Sequence, residues 1–123
     1  MARLKVPDKY KPAIAAISKL DASTILKIRA AIEAMPPSVS PRSLGKALTK
    51  SLAPELKEIA EAVGSLYGVK AGMDMTVEEF AEEICDAMER DSVIDPSLLP
   101  VPKSQAKDNL VMLLSVDNVS PEF

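Results

Sequence analysis

The sequence predicts an all-α fold: a compact bundle of about six short helices with no substantial sheet. Three observations carry this expectation. Apolar residues recur at helical spacing in one segment after another, and Pro, Ser and Asp punctuate the joins. The available core is aliphatic, since the aromatics are only Tyr10, Tyr67, Phe80 and Phe123 and there is no Trp. Ala, Leu, Ile, Val and Met suit helix-on-helix packing, and abundant Ala favours helix. Finally, no window alternates apolar and polar residues between hairpin turns.

Each element has its own signals. In "YKPAIAAISKL", Tyr10, Ala13, Ile14, Ile17 and Leu20 recur on one side. "LDASTILKIRAAIEAMPP" places Ile25, Ile28, Ile32 and Met35 together, with Asp21 or Ser23 as N-cap and Pro36-Pro37 as the stop. "VSPRSLGKALTKSL" opens with Ser40 as cap and Pro41 at the first helical position, and its apolar side is Leu44, Ala47, Leu48 and Leu52. Pro54 restarts the chain into "PELKEIAEAVGSLYG", whose stripe is Leu56, Ile59, Ala60, Val63, Leu66 and Tyr67, with Gly68 expected as the C-terminal cap. Thr76 and Glu79 form a capping box ahead of Val77, Phe80, Ala81, Ile84 and Met88. A loop rich in proline, "DPSLLPVPKS", leads to the last segment, "AKDNLVMLLSV".

That last segment is unusually apolar. Ala106, Leu110, Leu113 and Leu114 fall on one side of the helix, while Val111 and Met112 spread towards the other. A surface helix needs one apolar stripe, and a helix apolar all round is normally enclosed. Two readings therefore stand: the helix occupies the middle of the bundle, or its second face, with Val111, Met112 and Val116, awaits a partner. The domain is expected over residues 1–116, with 117–123 a C-terminal tail or linker.

A chain of 123 residues can bury one modest core without metal or disulfide staples. Cys85 is the single cysteine, so no internal disulfide forms and no oxidising compartment is implied. No long apolar run follows a basic start, which argues against a signal peptide or a membrane span and for a cytoplasmic protein.

Little in the sequence points to catalysis. Histidine is absent, which removes the commonest general base, the usual zinc ligand and the Ser-His and Cys-His nucleophile pairs. Four scattered glycines form neither a phosphate loop nor a dinucleotide fingerprint. Cys85 sits at the edge of a buried stripe among acidic residues that raise a thiol pKa. Asp74, Thr76 and Glu78 alternate as in a calcium loop, but the sixth position is Glu79 and the twelfth Cys85 where Gly and Glu are required. We therefore expect no enzyme, cofactor or metal. Gly45 and Gly64 fall inside helices, which implies close approach of a neighbouring helix or a ligand against bare backbone.

Charge is segregated. Residues 1–70 carry 12 Lys or Arg and 6 Asp or Glu, whereas residues 71–123 carry 3 and 12. Arg42, Lys46 and Lys50 form a basic row opposite Leu44, Leu48 and Leu52, while Glu78, Glu79, Glu82, Glu83, Asp86 and Glu89 crowd one face of the fifth helix. Both rows suit solvated faces. Alternatively, Arg42, Lys46 and Lys50 are phosphate contacts for a nucleic acid, though few Asn or Gln are present to read bases and the balance is net −3.

The segments "KVPDKYKPAIAAISKL", "PPSVSPRSL", "SLYGVKAGMDMTVEEFAEEI" and "LLSVDN" resemble the N-terminal helical region of a bacterial family of uncharacterised proteins. The resemblance implies a β-rich region after the "LLSV" segment in longer members, an order reminiscent of COMM-domain proteins. It carries no catalytic motif and no known activity. The expectation is a non-enzymatic protein-interaction domain that buries aliphatic surface against a protein partner, a second copy or a missing C-terminal region. The alternative is nucleic-acid binding.

Overall fold

In a computed structural model, which describes residues 6, 8–36, 39–71 and 75–116, each apolar stripe becomes a helix. The helices are α1 (Lys11–Ser18), α2 (Ala22–Glu33), α3 (Pro41–Ser51), α4 (Lys57–Ala71), α5 (Val77–Asp91) and α6 (Lys103–Leu114). Three 3-10 turns, Asp8–Tyr10, Pro54–Leu56 and Pro96–Leu98, sit at the joins. No β-sheet forms among the described residues.

Short polar side chains set the helix starts. The Asp21 carboxylate accepts from the Thr24 amide at 3.3 Å, so Asp21 rather than Ser23 caps α2. Ser40 accepts from the Ser43 amide at 3.2 Å, with Pro41 leading α3. In the capping box of α5, Thr76 Oγ1 accepts from the Glu79 amide and Glu79 Oε1 accepts from the Thr76 amide, each at 3.1 Å. Each such cap satisfies a donor that the first helical turn leaves without a partner, at about 1 kcal/mol.

The end of α4 departs from expectation. Gly68 does not cap it; the helix runs on to Ala71 with Gly68 buried inside. A glycine costs a helix interior only about 1 kcal/mol, less than the backbone hydrogen bonds and packing gained by continuing.

Most of the predicted stripe residues form the core, while Tyr10, Leu20, Met35, Leu52, Leu56 and Val77 are only half-buried at its edge. Ile14, Ile17, Ile25, Ile28, Ile32, Leu44, Leu48, Ile59, Val63, Leu66, Phe80, Ile84, Met88, Leu110 and Leu113 are all buried. α3 lies along α4, and α5 lies along α6. α6 also packs against α1, α2 and α4, so the last helix is the hub of the bundle. The α3–α4 seam is close at its glycines: a β-carbon on Gly45 would stand 3.8 Å from Gly64 Cα. That is ordinary van der Waals distance, so a methyl group would fit at Gly45 and helix approach does not by itself require the glycine there.

Candidate functional site

The apolar stretch at residues 110–116 is enclosed and tied down. Leu110, Leu113 and Leu114 are buried, and so is Val116. Val111 and Met112 are half-buried against the same core. None of the three side chains expected on a free second face is among the exposed large apolar residues. The packing matches the reading in which the helix occupies the middle of the bundle, because four other helices surround it.

Polar side chains from two other helices, α2 and α4, and from α6 itself finish this arrangement. Tyr67 Oη donates to the Leu113 carbonyl at 2.7 Å and accepts from the Val116 amide at 3.4 Å. Arg29 Nη1 donates to the Met112 carbonyl at 2.7 Å and to Ser115 Oγ at 2.8 Å. These contacts answer carbonyls that the last turn of a helix leaves open. In return, the buried Asn109 of α6 donates to the Ile17, Ser18 and Leu20 carbonyls at 3.1–3.2 Å, closing the end of α1. Sequence reasoning missed Arg29, Tyr67 and Asn109 as partners. The available signal was a lone Asn inside an apolar segment.

Exposed apolar surface lies elsewhere. Val93 and Ile94, in the turn after α5, are 86% and 88% exposed. Leu26 follows at 53% and Val69 at 36%. Single exposed aliphatics are ordinary, but two adjacent ones held clear of the core are not. Their signal in the sequence was their place between the last stripe residue of α5, Met88, and the turn formers Asp95 and Pro96. The Asp95 carboxylate accepts from the Ser97 hydroxyl at 2.6 Å and from the Ser97 amide at 3.1 Å, and these bonds to the charged form, the hydroxyl's above all, hold its pKa below the usual range.

The two charged faces fare differently. Arg42, Lys46 and Lys50 are all exposed on α3, and none has a carboxylate within ion-pair distance among the described residues. On the acidic side, Lys103 pairs with Asp86, Lys107 with Glu82 at 3.2 Å, and Lys11 with Asp91 at 2.7 Å. The hydrogen bond to Asp86 raises the Lys103 pKa, and those to Asp8 and Asp91 raise that of Lys11.

Cys85 is buried, and burial, more than the Asp86 and Glu82 charges, pushes its thiol up to about 11. Lys103 and Lys107 oppose that shift. A shallow cleft of about 490 Å³ opens between the start of α1 and α4, lined by Tyr10, Glu58, Glu61 and Ser65 among others. Both carboxylates are exposed, unlike the enclosed pair that glycoside hydrolysis uses. Thr76 and Glu79 are engaged in capping, and Asp74 lies outside the described residues, as does the expected tail at 117–123. Among the described residues no group of three or more His, Cys, Asp or Glu is placed to hold a metal ion. No helix among them is long and apolar enough to cross a membrane.

Fold and surfaces together define a small all-α bundle organised around its last helix. Comparison with protein-family models, with curated proteins and with solved structures finds no match to this chain.

Proposed function

We propose that this chain is a non-enzymatic, cytoplasmic helical domain that binds another protein surface. The observation that carries the reading is the adjacent pair Val93 and Ile94, held almost fully in solvent between α5 and the Pro96–Leu98 turn. Burying such side chains stabilises a complex by roughly 1.5–3 kcal/mol each. Asp91 and Asp95 flank the pair and give it a polar rim. The order of segments that the sequence resembles, a helical region ahead of a β-rich one, is reminiscent of COMM-domain proteins, in which the β-rich part is an interaction domain, and that analogy favours the same class.

Light scattering across a concentration range, combined with binding of an apolar dye, tests the reading on the native chain and on V93S/I94S. Association or dye binding that the double substitution abolishes supports it. A strict monomer whose weak dye binding is the same in both chains overturns it.

The second reading, nucleic-acid binding through Arg42, Lys46 and Lys50, is favoured by their common exposure on one helix. A salt-titrated gel shift decides it, since phosphate contacts make affinity fall steeply with salt. Absence of a shift at low salt sinks it.

A further inference from the structure

We propose that the exposed face of α3 docks an acidic helix of a partner protein, one carrying carboxylates at every fourth position. The proposal rests on the protein-interaction reading and names the partner chemistry of a second surface, away from Val93 and Ile94.

The geometry of the row comes first. Residues four apart rise about 6 Å along a helix, so Arg42, Lys46 and Lys50 form a straight ridge about 12 Å long. They alternate with the buried Leu44 and Leu48 two positions on, which sets the ridge squarely away from the core. Nothing on the helix competes for the cations. No Asp or Glu occurs between Glu33 and Glu55. The Thr49 and Ser51 hydroxyls donate to the helix's own carbonyls, of Gly45 at 2.8 Å and Ala47 at 2.9 Å.

The contrast with α5 identifies the ridge as the open face. The acidic row Glu78, Glu82 and Asp86 has the same spacing, yet Lys107 engages Glu82 and Lys103 engages Asp86 within the chain. In the basic row, by contrast, all three cations are without an ion pair among the described residues. A second copy of this chain is a poorer occupant, because two of the three carboxylates in its matching row, Glu82 and Asp86, are already paired within the chain and only Glu78 is left. Nucleic acid is disfavoured because three cations make few phosphate contacts, α3 carries no aromatic side chain, and the chain as a whole is net −3. A helix laid alongside α3 with glutamates at the same 6 Å pitch meets all three cations at once. Such charge matching sets orientation and encounter rate more than affinity.

The probe is a synthetic helix-forming peptide with glutamate at every fourth position over three turns, followed by fluorescence anisotropy at low ionic strength. The intact chain should bind it, and affinity should fall as salt rises. R42E/K46E/K50E should weaken binding at least about tenfold, and R42Q/K46Q/K50Q by an intermediate amount. Both variants alter only exposed side chains, and circular dichroism checks that they fold. A peptide with glutamine for glutamate should not bind. Binding indifferent to charge reversal, no binding at low salt, or tighter binding of an oligonucleotide of equal charge would each overturn the proposal. So would self-association that charge reversal abolishes while the peptide goes unbound. V93S/I94S separates the two claims: it should leave peptide binding unchanged. If the peptide fails while association dependent on Val93 and Ile94 persists, only this inference falls.

Discussion

The α5–α6 seam and the connection that joins those two helices have similar raw material and opposite fates. The seam buries Phe80, Ile84, Cys85, Met88, Leu110 and Leu113. The connection, residues 92–102, is also rich in aliphatics, and Leu98, Leu99 and Val101 lean half-buried on the core. Val93 and Ile94 do not; they stand in solvent. Composition therefore does not decide burial here. Helical periodicity brings seam residues back to one face every turn, whereas a turn bounded by Asp95 and Pro96 has no such repeat and leaves its first two aliphatics outside.

The sharpest way to break this contrast is inside the seam. Leu113→Ala should cost about 2–5 kcal/mol in chemical denaturation, a large share of the stability of a small domain. A loss below 1 kcal/mol would show that the hub helix is not packed as described.

Alkaline titration comes next. The folded Cys85 thiol keeps its proton to about 11, above its ordinary 9.0, so the unfolded chain releases that proton first. Stability from this group is full below about pH 9 and lost as pH rises towards 11, by roughly 2–3 kcal/mol. Lys11 and Lys103, also raised, act in the same direction higher in the alkaline range. Denaturation curves across that window should show the fall in the native chain and a clearly smaller one in Cys85→Ala.

Tyr67→Phe removes the hydroxyl that serves both Leu113 and Val116, and about 1–3 kcal/mol should go with it. The urea midpoint reads that loss directly. At the small end, V93S/I94S should change folding stability by less than about 0.5 kcal/mol, because neither side chain packs on the core. A large destabilisation there would mean the connection is part of the core after all.

Much of the fold was legible in the residues. Ile25, Ile28 and Ile32 marked the buried side of α2, and Thr76 with Glu79 marked where α5 begins. Gly68 misled, since a cap signal in sequence is outweighed when the helix beyond it still packs. The surfaces were less legible. The basic row at Arg42, Lys46 and Lys50 was visible and stands exposed, whereas Val111, Met112 and Val116 were singled out and are drawn into the bundle. Val93 and Ile94 were passed over because a short apolar pair in a loop has no periodic signature.

By itself the sequence determined the helices, their starts and the face each turns inward, because backbone periodicity and capping act between residues three or four positions apart. Only the tertiary structure decided that α6 is the hub, that Lys103 and Lys107 pair with Asp86 and Glu82 of α5 while the cations of α3 meet no carboxylate among the described residues, and which aliphatics stay wet. Those outcomes depend on contacts between segments distant in the chain, such as Arg29 with Met112 and Asn109 with Ile17, and spacing along the sequence does not encode such meetings.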